Sequence, residues 1–106
     1  MNKANVRKWV KALRSGKYKQ CRGRLFDGRG YCCLGIVEKL AGVKPYGFVL
    51  EQGAREWLGV DEHNPKIGGL EASFLNDREN LTFPQIADRI EKYWLGKKST
   101  AKGRKR

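Results

Sequence analysis

No aspartate or glutamate occurs in the first 26 residues, so the basic side chains there have no acidic neighbour in sequence to pair with. The chain is also short of the groups that most enzyme chemistry requires. It has one histidine and three cysteines, Cys21, Cys32 and Cys33. An odd number in that arrangement is a poor disulfide framework and fits a reducing compartment. No Cys-x2–4-Cys knuckle is present to hold zinc, and adjacent Cys32 and Cys33 tend to point apart, so no metal or other cofactor is expected. Gly28 and Gly30 lack the third glycine and following Lys or Ser of a phosphate loop. There is no run of 18 apolar residues to cross a membrane. The first 24 residues carry charge where a secretory signal needs an apolar segment, so a cytoplasmic location is expected.

What is present is positive charge, unevenly placed. Residues 1–29 hold ten Lys or Arg against one acid, residues 30–96 seven against ten, and residues 97–106 six against none. The three sums, +9, −3 and +6, make up the net +12. A mildly acidic body between basic ends is the pattern expected when particular surfaces contact a polyanion. The competing account is that lysine merely keeps a small protein soluble, but it leaves the acid-free first 26 residues unexplained.

Helical periodicity carries most of the fold. Asn2 or Asn5 can cap a first helix, with Val6, Trp9, Val10 and Leu13 as its buried stripe and Gly16 as its stop. Lys3, Arg7, Lys11 and Arg14 then lie within about 80° of one another on the opposite side, with Lys8 widening the ridge. With no acid at i+4 these cations repel, at a cost of a few tenths of a kcal/mol per close pair, which points to an anionic ligand. The basic run continues through Lys17, Lys19, Arg22 and Arg24, with Tyr18 interleaved; an aromatic beside a helix stop is read mainly as packing. Asp27-Gly28 is a turn pair, with Cys21–Phe26 read as a strand and Gly30–Cys32 as its partner or the lead into the next helix. A central buried helix follows, with Cys33, Ile36, Val37, Leu40 and Ala41 facing inward and Gly42 closing it. Its two charges, Glu38 and Lys39, are expected on the solvent side.

Phe48, Val49 and Leu50 read as a short apolar strand or the staple before a helix at 51–58, which Gly59 ends and Val60 packs back upon. Residues 61–69 have the composition of an irregular loop. Leu70, Phe74 and Leu75 suggest one or two helical turns, broken by Asn76 and Asp77. Thr82 and Gln85 form a capping box for a last helix, with Pro84 in its first turn and Phe83, Ile86, Ala87, Ile90 and Trp94 on its stripe. The fold expected is α+β: a single small domain over residues 1–96 with about four helices and a short two-stranded β element. Residues 97–106 contain no apolar side chain larger than alanine and are expected to form a disordered basic tail.

The segments Ala12-Leu13-Arg14-Ser15-Gly16, Tyr18, Gln20, Tyr31-Cys32-Cys33-Leu34-Gly35, Trp57-Leu58-Gly59, Leu75-Asn76-Asp77 and Phe83 with Ile86-Ala87-Asp88, Ile90 and Glu91 resemble a family of small proteins of tailed bacteriophages and prophages. The resemblance extends to Glu91 and supplies no catalytic residues. It implies an accessory protein that redirects or disables a host machine in the host cytoplasm, an anti-CRISPR-like or other anti-defence inhibitor or a transcription regulator being concrete forms. The residues themselves point to nucleic acid, or a host nucleoprotein, as partner. The contacting set is Lys3, Arg7, Lys8, Lys11, Arg14, Lys17, Lys19, Arg22 and Arg24, with Lys97, Lys98, Lys102, Arg104, Lys105 and Arg106 from the tail. No helix-turn-helix, zinc finger or aromatic RNA-binding strand signature is visible, so recognition of backbone or shape is expected. The alternative is a non-enzymatic interaction module whose basic face docks on an acidic host protein. A cysteine nucleophile would need His63 beside it, which nothing in the sequence arranges. Asp77, Glu79, Asp88 and Glu91 read as a solvated acidic face, and an enzyme is not expected.

Overall fold

Trp9 is fully buried and donates its indole N–H to the carbonyl of Cys33 at 2.9 Å, which locks the first helix to the second. The structure, a computed structural model, describes residues 1–96. The expected tail and its cations Lys97, Lys98, Lys102, Arg104, Lys105 and Arg106 lie outside the described residues. The elements run α1 (Lys3–Arg14), α2 (Cys33–Ala41), α3 (Gln52–Leu58), β1 (Lys66–Ile67), β2 (Leu70–Glu71), α4 (Ala72–Asp77) and α5 (Phe83–Trp94). This is an α+β arrangement of five helices and one two-stranded antiparallel sheet.

The helices form where periodicity and caps agree. Asn2 accepts from the Asn5 amide, Val6, Trp9, Val10 and Leu13 are buried, and Gly16 turns left-handed just beyond the Ser15 cap. α2 ends on left-handed Gly42, whose amide satisfies the Glu38 and Lys39 carbonyls. Thr82 and Gln85 make the reciprocal capping box of α5, whose Phe83, Ile86, Ala87 and Ile90 are buried. α2 is the hub: it packs against α1, α3 and α4, while α1 lies along α5 with Trp9 and Trp94 5.8 Å apart, centroid to centroid. Among the described residues, no helix is long and apolar enough to cross a membrane.

The structure departs from the sequence pattern in several places. The two-stranded element is not formed by 21–26 and 30–32, where only isolated bridges, Gln20 to Tyr31 and Phe26 to Tyr31, occur. Gly23 and Gly28 adopt positive φ, and Leu25 sends its amide to Gly47 while its carbonyl accepts from Cys32, so no continuous ladder can form. The sheet lies instead at 66–71, its first strand within the stretch read as a loop and its second where Leu70 was read as helical, with Gly68 and Gly69, both at positive φ, closing the hairpin between Ile67 and Leu70. Phe48 and Val49 are exposed and not in a strand; only Leu50 is buried.

Asn76 does not break α4 but sits inside it, fully buried. Glu38 is buried too, because the 43–51 loop folds over that side of α2 and the Glu51 amide donates to its carboxylate at 2.7 Å. Burial pushes the Glu38 carboxyl above its ordinary value, and the Glu51 charge adds to this, while the Glu51 and Tyr46 amides favour the ionised form. Among the described residues, Glu38 Oε1 has no hydrogen-bond partner.

Candidate nucleic-acid interface

α1 presents its buried stripe to α5 and α2, which leaves Lys3, Arg7, Lys8 and Lys11 exposed on its outer side. Arg14 differs from these. Its guanidinium lies between Asp88 and Glu91 of α5, at 2.5 and 2.6 Å. The hydrogen bond to Glu91, followed by that to Asp88, raises its pKa further despite some desolvation. Both ion pairs between described residues belong to Arg14. The ridge inferred from helical angles therefore loses one cation to two acids of α5, Asp88 being 74 residues away in sequence. Glu91 and Asp88, read as a solvated acidic face, are half of that contact.

Two grooves flank α1. One, of about 500 Å³, runs between α1 and α5, with Val10 and Leu95 on its floor and Arg7, Lys11, Arg14 and Glu91 around it. The other, of about 290 Å³, is lined by Lys8, Lys11 and Lys17 together with Ala12, Ser15, Tyr18 and Leu40. Lys11 borders both. The second groove is apolar along its walls, where the stems of three lysines lie, and no acid lines it. Such a trough holds a phosphate chain by charge while giving sugars and bases something apolar to rest on.

Tyr18 is half-buried, edge-on to Tyr31 at 5.7 Å and 88°, with the Lys17 ammonium 5.8 Å from its ring centre. Its ring is thus engaged in packing and in a cation–π contact. Lys19, Arg22 and Arg24 are exposed, and Arg24 lines a groove. That third groove, of about 360 Å³, is formed with Phe26, Pro45, Tyr46, Gly47 and Phe48. Lys3, Lys19 and Arg22 line none of the three. The aromatic side chains of the third groove were missed by sequence reasoning, which placed Phe26 in a strand and Phe48 in a strand or the staple before a helix. The available signal was Pro45-Tyr46-Gly47, a turn sequence that cannot continue a strand and throws its flanks outward.

Burial disfavours ionisation of all three thiols. Cys33 is fully buried with its pKa pushed well up by desolvation, burial raises Cys32 to about 12, and Cys21 is raised for the same reason. All three serve the fold. The Cys32 sulfur caps α2 by accepting from the Gly35 amide, while Cys33 and Cys21 bond to the carbonyls of Ala72 and Arg24. His63 is exposed, in a separate groove with Glu62, Asn64 and Lys66 that no cysteine lines. Among the described residues, no three His, Cys, Asp or Glu side chains converge as metal ligands.

Over residues 1–45, which span α1, the 21–30 excursion and α2, the chain is similar to a domain of unknown function, DUF8296. No curated protein and no solved structure gives a significant match.

Proposed function

We propose that the protein binds nucleic acid, or a host nucleoprotein, through the basic outer side of α1, and that it acts as a phage-encoded accessory protein modulating a host machine in the host cytoplasm. The observation carrying the binding is the convergence of Lys8, Lys11 and Lys17 on a groove without an acid in its lining. Three lysines whose stems border one trough carry their charges at its edges, where an anionic chain would be attracted. Arg7, on the far side of Lys11, extends the track. The phage setting rests on the resemblance of the sequence segments, and anti-defence activity on that setting.

A second reading is an acidic host protein as sole partner. It draws support from the way Asp88 and Glu91 already grip Arg14, since carboxylates fit this side of α1. The test is binding of labelled duplex DNA, duplex RNA and single strands near 0.1 M salt by the wild type and by the Lys8→Glu/Lys11→Glu double variant. Both lysines are exposed, so the fold should survive. Loss of about tenfold or more in affinity is expected, from two phosphate contacts converted to repulsions. Absence of binding by the wild type would overturn the proposal, and a host partner retained through nuclease treatment would establish the second reading.

A further inference from the structure

Phe26, Tyr46, Phe48 and Val49 are the chain's main concentration of exposed large apolar side chains, at 36, 76, 62 and 41 %. They come from two segments, 21–30 and 43–49, joined by the bond from the Leu25 amide to the Gly47 carbonyl at 3.0 Å. Single exposed apolar residues are ordinary, but four on adjoining segments make a patch that calls for a ligand. Around it the charge is positive. The Arg24 guanidinium lies 6.0 Å from the Phe48 ring centre, and Arg22, Arg29 and Lys44 are exposed on the same segments. The acid there, Asp27, turns its carboxylate onto the amides of Arg29 and Gly30, at 2.9 and 2.8 Å.

The patch is also pre-set. Phe26 rests on Tyr31 at 4.8 Å with 33° between the rings, and the Tyr31 backbone is fixed by bonds to Lys19 and Cys21. Beneath the second segment, the Val43 amide bonds to the Glu38 carbonyl and the Glu51 amide to the Glu38 carboxylate. A surface whose parts are held in place gives up little entropy on binding. Tyr31 touches both Phe26 and Tyr18. A single ring therefore separates this patch from the Lys8, Lys11 and Lys17 groove, and a chain lying in that groove can continue onto it.

We propose that Phe26, Tyr46 and Phe48, with Arg24, form a stacking platform for unpaired nucleobases, so that the ligand of the α1 surface is single-stranded RNA or DNA. The inference rests on the nucleic-acid reading of α1 and names its substrate class. Flat rings beside a guanidinium match what a single strand presents, a base face and a phosphate at each step. Bases paired in a duplex are stacked on their neighbours and cannot offer those faces.

The experiment measures affinity of the full chain for single-stranded RNA, single-stranded DNA, a duplex, and strands of equal length with abasic sites. The wild type is compared with Tyr46→Ala/Phe48→Ala and with Lys8→Glu/Lys11→Glu. The platform predicts that strands with bases bind about five- to a hundredfold more tightly than abasic ones. It further predicts that Tyr46→Ala/Phe48→Ala abolishes this preference while keeping the abasic affinity, whereas Lys8→Glu/Lys11→Glu weakens both strands alike. The RNA and DNA arms separate the two sources. Equal binding of abasic and intact strands by the wild type, or a preference that survives loss of both rings, would overturn the platform and leave the α1 reading standing. No binding of any nucleic acid would overturn both.

Discussion

Asn76 shows how much of this fold depends on one side chain. Its Oδ1 accepts from Gln20 Nε2 at 2.8 Å and from the Cys33 amide at 3.2 Å, and its Nδ2 donates to the Cys21 carbonyl and to Asp77, each at 2.8 Å. One buried amide thus joins α4 to the start of α2 and to the 20–21 segment. Asn76→Ala strands a buried donor and a buried acceptor, each costing about 1–3 kcal/mol. A loss of about 3 kcal/mol is expected, read in a urea titration as a lower midpoint at unchanged slope. Glu38 makes a prediction of opposite character. Its folded pKa is raised above the ordinary 4.5, chiefly by burial, so the native state favours the protonated form. The stability it contributes is complete below about pH 4.5 and is lost as pH rises through the raised value. The uncharged amide of the Glu38→Gln variant carries no such dependence. The difference in urea midpoint between wild type and variant should therefore shift in favour of the variant between about pH 4 and pH 8. A pH-independent difference would show that Glu38 does not titrate in the fold.

The contact of α2 with the 21–26 excursion leaves no room for a side chain at Gly35. A Cβ there would lie 1.9 Å from the Leu25 carbonyl oxygen, which is already accepting from the Cys32 amide. The obstacle is backbone, which cannot rotate away, so Gly35→Ala should destabilise by about 3 kcal/mol or more despite alanine's better helix propensity. A thermal midpoint equal to wild type would mean that helix and excursion are not in contact. This close approach is invisible in the sequence, where Gly35 is merely a glycine in an apolar run. The helices α1, α2, α3 and α5 could be read because their stripes and caps are local signals. The hairpin could not, since two-residue strands such as Lys66–Ile67 and Leu70–Glu71 have no alternation to detect. The interior positions of Glu38 and Asn76 depend on partners 13 to 56 residues away, and the Arg14 pairing on α5. The basic side of α1 was readable from helical angles alone, but the aromatic groove beside Arg24 needs the 43–49 loop to fold back, which local pattern does not reveal.

The charge map of the molecule as a whole becomes intelligible once α5 lies along α1. Acids of the −3 central region reach the +9 N-terminal region at one point, Arg14, and α1 is thereby divided: its C-terminal cation is neutralised within the fold while Lys3, Arg7, Lys8 and Lys11 face outward. The six cations of residues 97–106 add further positive charge to the chain. Salt dependence separates the two contributions, because each phosphate neutralised on a duplex adds about 0.9 to the slope of log affinity against log salt, and about 0.7 on a single strand. If the α1 grooves hold the ligand, a chain ending at Gly96 keeps a slope of about −3 on a single strand, from the four to five cations of Arg7, Lys8, Lys11, Lys17 and Arg24. The full chain would be steeper and tighter, and substituting Lys8 and Lys11 in the shortened chain would flatten its slope by about 1.4. A slope near zero for the chain ending at Gly96 would assign the binding to the terminal cations as a general anchor and remove the folded surface from the account.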